Sequence, residues 1–121
     1  MRDFKKVLGL ALAAGAMLAA GPVLAHARLI SSTPSAKSTI GSPRTLSVTF
    51  DDSLVRPFSK LDLVMLGHNM KVPVSIRFTQ QNKTIVAVPQ KALMKGSYVL
   101  NWTAATPDGH RMTGMVPFQV R

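Results

Sequence analysis

An all-β domain, a Greek-key β-sandwich of about seven short strands, is the fold this sequence predicts. Three observations predict it. Apolar residues recur with a period of two, turn-forming Pro, Gly, Asn and Asp punctuate the runs, and no segment after residue 25 makes a convincing helix. Only "QKALMKG", Gln90 to Gly96, offers a single helical turn.

Taken in order, Leu29 to Ser32 reads as a first strand. "RTLSVTF" alternates Leu46, Val48 and Phe50 against Thr45, Ser47 and Thr49, the pattern of a half-buried strand. Leu61 to Leu66 and Val72 to Phe78 supply two more. "TIVAV", Thr84 to Val88, is β-branched and bounded by "QQNK" and Pro89. "GSYVLNWTAA" sets Tyr98, Leu100 and Trp102 on one side, and Trp102 belongs to the core. "MTGMVPFQV" puts Met112, Val116, Phe118 and Val120 opposite Thr113, Met115, Pro117 and Gln119. Pro117 there argues for a sheet edge or a bulge. No internal repeat, low-complexity tract or linker divides the chain after its leader.

The leader occupies residues 1–25. Arg2, Lys5 and Lys6 precede an apolar run from Val7 to Ala20, and "VLA" ends in the small residues a signal peptidase accepts. The run is short of the ~20 residues of a membrane span. The expectation is a secreted chain with no membrane span, a single domain covering 26–121. A cut after Ala25 makes His26 the first mature residue; "AHA" also permits a cut after Ala27, which discards it.

The leader takes three of the fifteen basic residues and one of the five acids with it, leaving a formal charge of +8. Its Lys and Arg residues are scattered singly, with little aromatic interleaving, which argues against a nucleic-acid groove. The chain has no cysteine, so disulfides and thiolate metal sites are excluded, and any metal must take nitrogen, oxygen or thioether donors.

Few residues remain to do chemistry. The three histidines are His26, His68 and His110. In "TPDGH", Thr106 to His110, Asp108 is either a turn former or one half of an Asp-x-His pair. A mature N-terminal His26 would chelate one ion through its amine and imidazole. The His110 imidazole adds a third nitrogen and the Asp108 carboxylate an oxygen, the tetragonal N,O set that Cu(II) favours. Otherwise His26 is an accident of the cleavage junction.

These residues resemble a known family. "HARLISSTP", "LSVTFDDSL" and "GSYVLNWTAATPDGHRMTGMVPFQV" together look like the CopC family of periplasmic copper-binding proteins, over essentially all of His26 to Arg121. The resemblance implies an immunoglobulin-like or cupredoxin-like sandwich that carries copper without catalysis. It implies a Cu(II) site of His26, Asp108 and His110. Family members often carry a Glu after the second strand; here Asp52 stands at that position and supports the site through water or a hydrogen bond, or else Asp51 and Asp52 form an ordinary solvated turn. Some relatives bind Cu(I) in a methionine-rich loop. "VMLGHNM" offers Met65, His68 and Met70 as soft donors, against a reading in which Met65 fills core and Gly67 to Asn69 is a plain turn. Met94, Met112 and Met115 are assigned to packing or exposed strand positions.

The expected function is a periplasmic copper carrier for resistance or homeostasis, with transfer to an inner-membrane CopD-type transporter and with affinity that falls as acid protonates the donors. Two other classes stay open. An N-terminal-His copper enzyme could act oxidatively on polysaccharide, although one Trp and one Tyr leave little aromatic surface for it. A metal-free adhesion or assembly sandwich would use its strand edges.

Overall fold

Two sheets face each other across one core. The computed structural model describes residues 27–121, so the expected leader and His26 lie outside the described residues. The strands are β1 (Leu29–Thr33), β2 (Ser38–Ile40), β3 (Leu46–Phe50), β4 (Lys60–Met65), β5 (Met70–Val72), β6 (Val74–Thr79), β7 (Thr84–Pro89), β8 (Gly96–Ala105) and β9 (Arg111–Val120). One sheet has the order β1-β3-β7-β6 and the other β2-β9-β8-β4-β5. The all-β sandwich expected from the sequence is therefore the fold of the described residues.

The count is nine rather than about seven, for two physical reasons. Pro73 breaks the expected strand from Val72 to Phe78. Lacking an N–H, it ends β5, which pairs with β4, and the chain crosses to the other sheet, where β6 pairs with β7. The second addition is β2, three residues long, which exists by lying parallel to β9. No three-residue strand announces itself by periodicity.

Pro117 illustrates the same logic. Its carbonyl accepts the Lys37 N–H at 2.6 Å, at the point where β2 begins to flank β9. The missing N–H thus falls where the neighbouring strand has only started, and β9 is an edge on one side up to that point. The expected helical turn at Gln90 to Gly96 is absent, and a short 3₁₀ turn occurs instead at Arg56–Phe58. Leu93 is buried and its N–H goes to Ser42 Oγ at 2.9 Å, which holds that segment extended against the core.

The core is built from the alternating positions. Leu46, Val48 and Phe50 of β3 face Leu61 and Leu63 of β4, Leu100 and Trp102 of β8, and Val116, Phe118 and Val120 of β9. Burying each such large side chain stabilises the fold by roughly 1.5–3 kcal/mol. Phe50 meets Trp102 edge to face at 5.0 Å, and Tyr98 stacks on Phe118 at 5.6 Å. Among the described residues no helix is long and apolar enough to cross a membrane.

Candidate metal centre

The turn between β8 and β9 is closed by its own backbone. Thr106 N–H donates to the His110 carbonyl at 2.9 Å and Gly109 N–H to the Thr106 carbonyl at 3.0 Å. Gly109 sits at φ +90°, a left-handed conformation that a side chain would resist, so glycine is needed here. This turn, rather than strand alternation, brings Asp108 and His110 together. His110 Nδ1 lies 2.7 Å from Asp108 Oδ2, and His110 N–H donates to Asp108 Oδ1 at 3.2 Å. The hydroxyl of buried Thr106 also donates to Asp108 Oδ1.

Those bonds set the charge. The Thr106 hydroxyl first, and then the His110 ring and backbone N–H, hold the Asp108 carboxyl far below the usual carboxylate range. A carboxyl depressed in the folded state contributes stability that is fully present above its unfolded value, near 4, and is lost only as pH falls through the depressed value. Chelator-treated wild type should therefore melt above Asp108→Asn by a gap that is constant from pH 7 to about 5 and closes only below about pH 4. Thermal melts across that range measure it. Identical melting temperatures at pH 7 would mean that the carboxylate charge contributes nothing to the fold, since Asn keeps an oxygen acceptor for the Thr106 and His110 donors.

A second turn lies beside the first. Val55 N–H donates to the Ala105 carbonyl at 2.8 Å, so the segment after β3 is fastened to the residue preceding Thr106. Its far side is fixed by Leu54 N–H to the Asn82 carbonyl at 2.8 Å and by Ser53 Oγ to the Gln81 carbonyl at 2.9 Å. Asp52, half-buried, accepts its neighbour's N–H, Ser53, at 2.8 Å and so shapes this turn. Asp51 reaches the start of β1: its carboxylate accepts the Arg28 N–H at 2.7 Å. The sequence singled out Asp52 of this pair and passed over Asp51.

Among the described residues no three His, Cys, Asp or Glu side chains converge. Asp108 and His110 are brought together; the third expected ligand, His26, lies outside the described residues, two positions before Arg28. The Asp108–His110 pair nonetheless offers donors that Cu(II) accepts. The 2.7 Å between Nδ1 and Oδ2 is a hydrogen bond that holds carboxylate and imidazole side by side, and an ion taken at Nδ1 would displace its proton.

Of the expected soft donors, two are neighbours and the third lies on the turn between them. Met65 and Met70 are cross-strand partners on β4 and β5, whereas His68 is exposed in the connecting turn, with Gly67 and Asn69 at positive φ. Met65 and Met70 line a groove of about 420 Å³, and its third thioether is Met94, not His68. Nothing in the spacing of Met94, 24 residues after Met70, signalled that the three line one groove.

Residues 29–121 match the CopC domain family. The chain belongs to that family. It is 34% identical over 116 residues to the copper resistance protein C of Pseudomonas syringae pv. tomato, across 91% of this chain and 92% of the relative. The fold matches the crystal structure of PcoC, a methionine-rich copper resistance protein from Escherichia coli, with a TM-score of 0.74 and 32% identity over 80% of this chain and 100% of that one. A copper transport protein of Bacillus subtilis, CutJ, is 26% identical over 97 residues, which are 78% of this chain and 18% of that protein. The CopC family is one of copper-binding resistance proteins and not of enzymes, so the polysaccharide-cleaving alternative has no support in this CopC domain.

Proposed function

We propose that this CopC domain is a periplasmic copper carrier serving resistance or homeostasis, holding one Cu(II) ion by the amine and imidazole of His26, the imidazole of His110 and the carboxylate of Asp108. The observation that carries the reading is the Asp108–His110 pair, whose carboxylate and imidazole the turn holds side by side. It lies at the same end of the sandwich as the incoming chain, because Arg28 is bonded to the turn that Val55 ties to Ala105. Two residues of chain span at most ~7 Å, so position 26 stays within that distance of Arg28. Asp108, already anionic, needs no deprotonation, and the proton competition that weakens binding in acid comes from the nitrogen donors. Asp52 supports the site at one remove, by shaping the turn.

Burial of Ala27 with the core supports cleavage after Ala25, since a cut after Ala27 would strip a core methyl. Transfer to an inner-membrane CopD-type transporter is supported by the match to a segment of a copper transport protein. The test is a native mass spectrum of the protein from the periplasm of copper-fed cells, paired with melts of the purified chain. The expected result is a mass starting at His26 with one copper, and a Tm that rises with Cu(II), since ligand at 100 times Kd adds about 2.7 kcal/mol. A mass starting at Arg28 and a Tm indifferent to Cu(II) would overturn the reading.

A second, Cu(I) site is favoured by the groove. Met65 and Met70 supply two thioethers, Met94 a third, and His68 lies on the adjoining turn. Met70→Leu and Met94→Leu should each weaken Cu(I) in competition with a Cu(I)-selective chelator while leaving Cu(II) affinity unchanged. Equal loss of both ions would refute two separate sites.

A further inference from the structure

The start of β1 is held more firmly than an N-terminal segment ordinarily is. Asp51 grips residue 28 twice: its carboxylate accepts the Arg28 N–H at 2.7 Å, and its own N–H donates to the Arg28 carbonyl at 3.1 Å. The β1–β3 ladder is irregular just beyond. Leu29 pairs with Phe50 and Ser31 with Thr49, so Ile30 is an extra, exposed residue. That bulge shifts the inward phase, so that Ala27 and Leu29 turn to the core on one side of it and Ser32 on the other. Ala27 is 1% exposed. Asp51 itself stands on the turn that is tied on both flanks, to Gln81 and Asn82 on one side and to Ala105 on the other.

We infer that Asp51 is a positioning residue of the copper site: by clamping both backbone groups of residue 28, it sets where the N-terminal donors meet Asp108 and His110. The inference rests on the Cu(II) reading above. Asp51 touches backbone, not metal, and acts by ordering the last residues of the terminus before the ion arrives. Without it that ordering occurs on binding, and immobilising about one residue weakens affinity on the order of tenfold. The clamp needs an oxygen acceptor and not a charge, so Asn serves where Ala does not.

The experiment compares the mature wild type with Asp51→Ala, Asp51→Asn and His110→Ala, titrating Cu(II) against a chromophoric chelator and recording the Cu(II) EPR spectrum. Asp51→Ala should bind about tenfold more weakly, with an altered or heterogeneous spectrum, and Asp51→Asn should recover most of the affinity and the wild-type spectrum. Wild-type affinity in Asp51→Ala overturns the clamp, as does an Asp51→Asn as weak as Asp51→Ala, which would make the charge the operative feature. His110→Ala separates the two claims. If it binds Cu(II) as the wild type does, the copper site itself falls; if it loses binding while Asp51→Ala does not, only the clamp falls.

Discussion

Replacing His110 by Ala should weaken Cu(II) binding on the order of 100-fold or more, because losing a hydrogen-bond partner of a ligand already costs 10–100-fold and the proposed site loses a ligand itself. The loss has two parts. One imidazole nitrogen disappears from the proposed set of three, and Asp108 loses the ring hydrogen bond that orients its carboxylate. Folding should change far less than binding, the cost being the ring bond to Asp108 at a side chain that is 42% exposed. Competition titration reads the affinity and a thermal melt of the chelator-treated variant reads the fold. Affinity within a few-fold of wild type would remove His110 from the site.

Gly114→Ala should lower the melting temperature by roughly 5–20 °C. An added Cβ would lie 2.2 Å from Trp102 Cζ2, 2.5 Å from Cε2 and 2.9 Å from Nε1, because Trp102 is its cross-strand partner and lies over it. A contact that short forces the indole aside, and overpacking of this kind costs about 1–3 kcal/mol, each kcal/mol being worth about 4–8 °C in a domain of this size. Phe50 packs edge to face on the same ring and precedes Asp51, so displacement of Trp102 should also disturb the turn that carries Asp51. Trp102 is the one tryptophan of the chain, so its fluorescence reports the movement without interference. Unchanged melting and unchanged emission would show that the indole has room to yield.

Much of the fold was legible because burial on one face of a strand leaves a period-two record. β3, β7, β8 and β9 were readable from "RTLSVTF", "TIVAV", "GSYVLNWTAA" and "MTGMVPFQV", each long enough for two or three inward positions. β2 was not, since three residues carry no period and this strand depends on a parallel partner 80 residues away. The division at Pro73 had a sequence signal, the missing N–H, but the change of sheet that follows it is set by which strand lies nearby.

For the site, the sequence alone determined the chemistry: a cysteine-free set of nitrogen, oxygen and thioether donors, with Asp108 and His110 two residues apart around a glycine. The tertiary structure alone decided which of those donors meet. It put Met94 in the lining of the groove that Met65 and Met70 also line and left His68 on a turn, and it gave Asp51, not Asp52, the hold on Arg28. The reason is physical. A donor's identity is carried by its own side chain and a turn by a few adjacent residues, whereas a meeting between distant residues depends on strand register and on which sheet each strand joins, and one bulged residue, Ile30, is enough to change which side chains face inward.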